Sequence, residues 1–156
     1  MGGRSSGKGG LKLRVFSFGK DRSGLFKPAI EEFAQRLAHY AALQLEELPA
    51  QSSMAKEATA LFQRLSPDER LVALDERGEA LTSPQWAQLL GQAQLSSVRL
   101  AFVIGGDEGL DESVRRQAWR VLQLSSFTLP HRLARVVLLE QLYRAMTLIK
   151  GEPYHK

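Results

Sequence analysis

Apolar and polar positions along the chain switch repeatedly between a period near two and a period near 3.6, which predicts strands alternating with helices. Leu11 to Phe18 alternates in part, is rich in Leu, Val and Phe, and reads as a first strand. Pro28 suits the first turn of a helix, and Ile30, Phe33, Ala34, Leu37 and Ala38 follow at helical spacing. Leu43 to Leu48, closed by Pro49, is the predicted second strand. Ser53 is placed to cap a helix running through Leu65, with Ala58, Leu61, Phe62 and Leu65 on one face, until Ser66-Pro67-Asp68 breaks it. Leu71 to Asp75 is the third strand, and Glu76 to Glu79 is expected to turn the chain. Ser83-Pro84 opens a helix that buries Trp86, Leu89 and Leu90.

Val98 to Ile104 is an almost unbroken apolar run, the mark of a strand covered on both faces. It ends in Gly105-Gly106-Asp107-Glu108-Gly109, where the backbone must bend sharply or let a ligand come close. Asp111 is predicted to cap a helix carrying Val114, Ala118, Val121 and Leu122. Leu124 to Leu129 reads as a fifth strand or strand-like loop cut by Pro130. The last helix, from about Arg132 to Lys150, is apolar on more than one face, so a subunit interface is expected to cover part of it. Gly151 to Lys156 is a short non-helical tail. The pattern predicts an α/β domain with a mostly parallel sheet flanked by helices.

Composition narrows the chemistry. The chain has 156 residues, 44% of them hydrophobic, which suits a single domain. It has no cysteine, so disulfides, thiolate metal ligands and cysteine nucleophiles are excluded. The three histidines, His39, His131 and His155, form no metal-binding pattern, and no metal site is expected. No apolar run reaches the roughly 18 residues of a membrane span, and no signal-type apolar segment follows the N-terminus, so a cytoplasmic protein is expected. The formal charge of +4 allows a nucleic-acid partner. Residues 1–10, Gly/Ser-rich with Arg4 and Lys8, read as a flexible tail ahead of one domain spanning residues 11–156.

Candidate chemistry gathers at three places. IGGDEG lacks the spacing of dinucleotide and P-loop motifs, so Gly105 and Gly106 are either a tight turn or a close-approach site. Ligands of open α/β sheets bind at the carboxyl ends of strands, which would set Leu74-Asp75, Gly105-Gly106 and Leu129 to His131 along one rim. Asp75 with Glu108 is a conceivable carboxylate pair there. Tyr154 and His155 lie in a tail with no core to join, where an aromatic can stack on a base and a histidine can move a proton. Arg144, on the final helix, is the remaining cation of interest. Lys20, Asp21 and Arg22 sit in a polar turn that suits either a solvated loop or a phosphate contact. Each of these residues taken alone also suits a structural role.

Together, Leu74-Asp75 with Gly78, then IGGDEGL, LSSFTLPH, Arg135, LYRA and the terminal PYHK resemble the RlmH family of SPOUT-class methyltransferases, from about Leu11 to the C-terminus. The resemblance implies a homodimer with a trefoil knot near the C-terminus, although knots are nearly absent from folds. It implies S-adenosyl-L-methionine as cofactor and methylation of N3 of a pseudouridine in large-subunit (23S) ribosomal RNA; so small a protein offers little surface for reading sequence, so the assembled ribosome is the expected substrate. Carried onto this sequence, the cofactor loops are Leu74, Gly105, Gly106 and Leu124, Ser125, Ser126, Phe127, Thr128 and Leu129. The substrate positions are His131 and Arg135, and the catalytic group is Arg144, which would hold phosphate or the target base, with Tyr154 and His155, which would reach across the dimer to position the pseudouridine. The tail before Leu11 and the short, lysine-poor stretch between Leu48 and Leu71 depart from the family's pattern. A SPOUT methyltransferase for another RNA nucleotide and a non-catalytic ribosome-binding protein are the alternatives.

Overall fold

The computed structural model describes residues 10–155; the expectation of a flexible tail falls almost wholly on residues outside that range. Five strands, β1 (Leu11–Phe18), β2 (Ala41–Leu48), β3 (Glu69–Ala80), β4 (Arg99–Ile104) and β5 (Arg120–Gln123), alternate with five helices. The helices are α1 (Lys27–Ala38), α2 (Met54–Arg64), α3 (Ser83–Leu95), α4 (Glu112–Gln117) and α5 (His131–Lys150). The strands form one sheet in the order β2-β1-β4-β3-β5, parallel at every pairing.

Side-chain alternation divides the core into two layers. Leu13, Val15, Val72, Leu74, Leu100, Phe102 and Ile104 point to the face covered by α1, α3 and α5. Phe16, Phe18, Leu71, Ala73, Ala101 and Val103 point to the face covered by α2 and α4. Both faces of the central strands are therefore buried, which is why Val98 to Ile104 reads as an apolar run rather than an alternation. Register aligns the strand ends: Ser17 and Leu74 each sit opposite Ile104, Phe18 opposite Leu48, and Leu74 also opposite Leu122. One rim of the sheet thus carries the C-terminal ends of all five strands.

Several expectations are met. Ser53 and Asp111 cap their helices, accepting from the backbone N–H of Lys56 and Ser113. Pro28 lies in the first turn of α1. Others need correction. The helix after Asp111 ends at Gln117, because Ala118 already has extended backbone (ψ 144°) and the Trp119 N–H bonds to Leu71 O at 2.7 Å. Val121 and Leu122 therefore belong to β5, and Leu124 to Leu129 is a loop rather than a strand. Glu76 to Glu79 does not close β3. The strand continues through an irregularity between Leu74 and Glu79 and pairs again with β5, Glu79 opposite Leu122 and Ala80 opposite Gln123. β2 begins at Ala41, two residues earlier than expected.

The cap of α3 is Thr82, one residue ahead of Ser83. Its side chain accepts from the Gln85 N–H while the Gln85 side chain accepts from the Thr82 N–H. Thr82→Ala removes one half of this reciprocal pair and is expected to cost about 1 kcal/mol in urea unfolding, with no change in oligomeric state.

Candidate active site

The rim at the strand ends holds a cleft of about 470 Å³. Its apolar floor is Leu74, Ile104, Leu124, Leu129 and Ala134, and its glycine wall is Gly105, Gly106 and Gly109. The glycines are there for backbone reasons. A Cβ on Gly105 would lie 2.5 Å from the carbonyl carbon of Gly109 and 2.9 Å from the Leu110 nitrogen. Gly109 has φ +87° and donates its N–H to Gly106 O at 3.0 Å, closing the turn.

The opposite wall, residues 124–130, is held without ladder hydrogen bonds. Thr128 Oγ1 donates to the Glu76 carboxylate at 2.8 Å, Gln123 Nε2 donates to Glu76 O at 2.9 Å, and Ser125 Oγ bonds Phe127 O. Asp75, in the irregular part of β3, is nearly buried and paired with Arg77 at 3.2 Å and Arg115 at 3.4 Å. Asp75 and Glu108 both line the cleft, with the Asp75 carboxylate held between these two guanidinium groups.

The structure therefore brings Leu74, Gly105, Gly106, Leu124, Ser125, Phe127, Thr128, Leu129 and His131 together on one cleft. Ser126 is exposed in the same loop and does not line it. His131, the first residue of α5, faces Asp107 with its Nδ1 at 3.1 Å from the carboxylate. Arg135, one turn on, is instead paired with Glu47 at 2.9 Å, beyond the cleft.

Arg144, Tyr154 and His155 form a second group. Glu140 is its anchor, a residue the sequence pattern did not single out although its i,i+4 spacing to Arg144 is visible there. Glu140 accepts from Arg144 Nε at 3.1 Å, Arg144 Nη2 at 2.6 Å and the Tyr154 hydroxyl at 2.9 Å. The Arg144 guanidinium lies over the Tyr154 ring at 4.8 Å, and Tyr154 meets Tyr143 edge-on at 4.7 Å. Hydrogen bonding to Glu140 raises the Arg144 pKa, so the group stays cationic. Burial, then the Glu140 contact, raises that of Tyr154, so its hydroxyl stays protonated. Arg144 Nη1 is 3.1 Å from His155 Nδ1. Arginine only donates, so Nδ1 accepts and a neutral His155 carries its proton on Nε2.

His131 and Arg144 are on one straight helix, thirteen residues apart, or about 20 Å along its axis. Within one chain the tail group and the cleft do not meet. Among the described residues, no cluster of three or more His, Asp or Glu side chains is arranged to hold a metal, and no helix is long and apolar enough to cross a membrane.

Comparison with known proteins agrees with this architecture. Residues 11–155 match the family described as "Predicted SPOUT methyltransferase". The chain is 48% identical to "Ribosomal RNA large subunit methyltransferase H" of Anaeromyxobacter sp. (strain Fw109-5), covering 94% of this chain and all of that one. It is 41% identical to the protein of that name from Geobacter sulfurreducens, covering 93% and 99%. In fold it is similar to a probable methyltransferase from Bordetella pertussis Tohama I, with a TM-score of 0.60 at 13% identity over 92% of this chain. A parallel five-stranded sheet with a glycine-walled cleft at its strand ends, and a family match that runs almost end to end, place this chain in the SPOUT methyltransferase family.

Proposed function

We propose that this protein is a cytoplasmic large-subunit ribosomal RNA methyltransferase that transfers a methyl group from S-adenosyl-L-methionine to N3 of a pseudouridine on the assembled ribosome. The observation that carries the reading is the near-full-length identity with relatives named for large-subunit ribosomal RNA methylation, in a chain whose cleft suits the cofactor. At about 470 Å³, with an apolar floor and side-chain-free glycine backbone, the cleft fits a ligand that joins a flat purine to a polar tail. Leu74, Leu124 and Leu129 would hold the flat part, and Gly105, Gly106 and the 125–128 loop the polar part. Bound there, the cofactor supplies an electrophilic methyl group. Thr128→Val, which unhooks the loop from Glu76, is expected to weaken cofactor binding about fivefold by calorimetry, the cost of one hydrogen bond.

The remaining chemistry falls to the tail group. N3 of a uracil-type ring carries a proton at neutral pH, so the ring must lose it or have its developing negative charge met. Arg144, locked by Glu140 in the charged state, is suited to face the ring carbonyls as that charge forms. Tyr154 offers a ring for stacking and holds the guanidinium plane. His155 presents Nε2–H in its present contact and becomes a proton acceptor at Nδ1 only when it leaves Arg144. His131 and Arg135 stand where α5 begins and would guide the substrate towards the cleft.

A homodimer brings the tail group of one copy to the cleft of the other. Leu133, Val137 and Leu148 are half-exposed outside the core, on one α5 stripe with Arg144 between them, and that stripe suits contact with a second copy. The trefoil knot belongs to the same proposal. It rests on the RlmH resemblance; Gly78, where a Cβ would lie 2.7 Å from the Leu122 backbone, lies where β3 packs against β5.

The test is mass mapping of ribosomal RNA after incubation of unmodified ribosomes with the protein and labelled cofactor. One label on N3 of a pseudouridine is expected. A label on another nucleotide would instead identify a different SPOUT methyltransferase. Absence of both label and calorimetric cofactor binding would leave a non-catalytic ribosome-binding protein.

A further inference from the structure

The turn between β1 and α1 is not used by the cleft or the tail group, yet its position and charge give it a role. Residues 19–27 read Gly-Lys-Asp-Arg-Ser-Gly-Leu-Phe-Lys, three cations against one carboxylate. The carboxylate, Asp21, is internal to the loop. It accepts from the Ser23 hydroxyl at 2.7 Å and the Ser23 N–H at 3.0 Å, contacts that lower its pKa. It also pairs with Arg132 at 3.3 Å, so the loop is tied to the first turn of α5, beside His131 of the cleft. Gly19 and Gly24, at φ +85° and +67°, supply the left-handed backbone that lets the chain double back.

The loop therefore sits on the same rim as the cleft. A Cβ on Gly106 would come within 3.9 Å of the Cβ of Phe18, the last residue of β1. Lys20, Arg22 and Lys27 are all exposed, and among the described residues none enters an ion pair. The cleft mouth carries the opposite sign. Of its lining, Glu76, Asp107 and Glu108 are exposed carboxylates, while the exposed cation there, Arg77, is paired with Asp75; Asp107 meets His131. A polyanion approaching the cleft is repelled by the Glu76, Asp107 and Glu108 side and attracted by the β1 side.

We infer that Lys20, Arg22 and Lys27 form a phosphate track, over which the sugar-phosphate backbone of the RNA flanking the target nucleotide crosses the β1 side of the rim into the cleft. The inference rests on the RNA-methylation reading above and adds to it a direction of entry and three positioning residues. Backbone contacts of this kind fix register and orientation without reading sequence. The loop is pinned through Asp21 and Arg132, so the track is set before RNA arrives.

The test is steady-state methylation of unmodified ribosomes by the triple variant Lys20→Gln/Arg22→Gln/Lys27→Gln. A control, Lys12→Gln/Arg70→Gln/Arg116→Gln, removes three exposed cations, two at the starts of β1 and β3 and one near the end of α4. The track variant is expected to raise the ribosome KM about tenfold or more, and to flatten the dependence of log KM on log salt by roughly two to three, near one for each phosphate no longer neutralised. Its kcat at saturating ribosomes and its calorimetric affinity for S-adenosylmethionine should match wild type, which also certifies the fold. The control should leave KM within about twofold. Equal KM values in the track variant and wild type, or equal losses in track and control variants, would overturn the track. Failure of wild type itself to label ribosomes would instead overturn the function it rests on.

Discussion

Gly105→Val is expected to lower the affinity for S-adenosylmethionine by about 100-fold or more, a loss of close to 3 kcal/mol in binding, while the protein stays folded and keeps its oligomeric state. A side chain at this position points at backbone, not at a flexible group that can move aside. The first added carbon already falls 2.5 Å from the Gly109 carbonyl carbon and 2.6 Å from its oxygen. The Gly106–Gly109 turn must open, and the wall of the cleft opens with it. The damage begins one residue beyond the sheet, because the pairing of β4 with β1 and β3 ends at Ile104. A local repacking cost of about 1–3 kcal/mol is a fraction of the roughly 5–15 kcal/mol that holds a domain together. Gly109→Ala is a graded comparison. Its Cβ would meet nothing within 4 Å, and only the backbone strain of φ +87° remains, about 1–2 kcal/mol. Calorimetry should rank wild type above Gly109→Ala, and that variant above Gly105→Val. Undiminished binding by Gly105→Val would reduce the turn to a structural bend with no ligand beside it.

The parts of this molecule legible in its sequence are those with short-range causes. Periodicity located β1, β4 and most of every helix, because burial on one or two faces imposes a period on the chain directly. Ser53, Asp111 and Pro28 announced helix starts because caps act over two or three residues. β5 was missed for the converse reason. Four residues are too few to show a period, and Val121 and Leu122 extend the helical spacing of Val114 and Ala118. What ends α4 is the Trp119 N–H bonding to Leu71 O, a partner far back in the chain on β3. The displaced strand left Leu124 to Leu129 as a loop whose shape comes from side-chain bonds to Glu76, which no local pattern encodes.

The site divides along the same line. The glycine wall and the 124–131 loop were found because glycine clusters and a proline stop are local signals. The Arg115 partner of Asp75 was not, since it reaches the carboxylate from forty positions away. Glu140 was within reach, as its spacing to Arg144 is the ordinary helical pairing, and its contact with Tyr154 turns a loose tail into a fixed one. The RlmH resemblance named the tail residues without their geometry. The geometry adds that Arg144 and the cleft lie on different ends of one helix.

That separation leads to the second large effect. Arg144→Ala is expected to lower methylation by about 100- to 1,000-fold, as removal of a charge-stabilising donor does, with cofactor affinity nearly unchanged because Arg144 is not among the residues that wall the cleft. Two inactive variants should then restore each other. A mixed dimer of Arg144→Ala and Gly105→Val contains one site with the intact cleft of the first chain and the intact tail of the second, and one site with both defects. Random pairing makes half of the dimers mixed, so coexpression should recover about a quarter of wild-type activity. A site built within one chain gives no such recovery, because every chain in the mixture then carries its own defect. Sedimentation at the assay concentration fixes the dimer population, and tandem affinity tags isolate the mixed species, whose activity should reach about half that of wild type. Activity of the mixed species no higher than that of its parents would place Arg144 outside the reaction in trans and return the tail group to holding the end of α5.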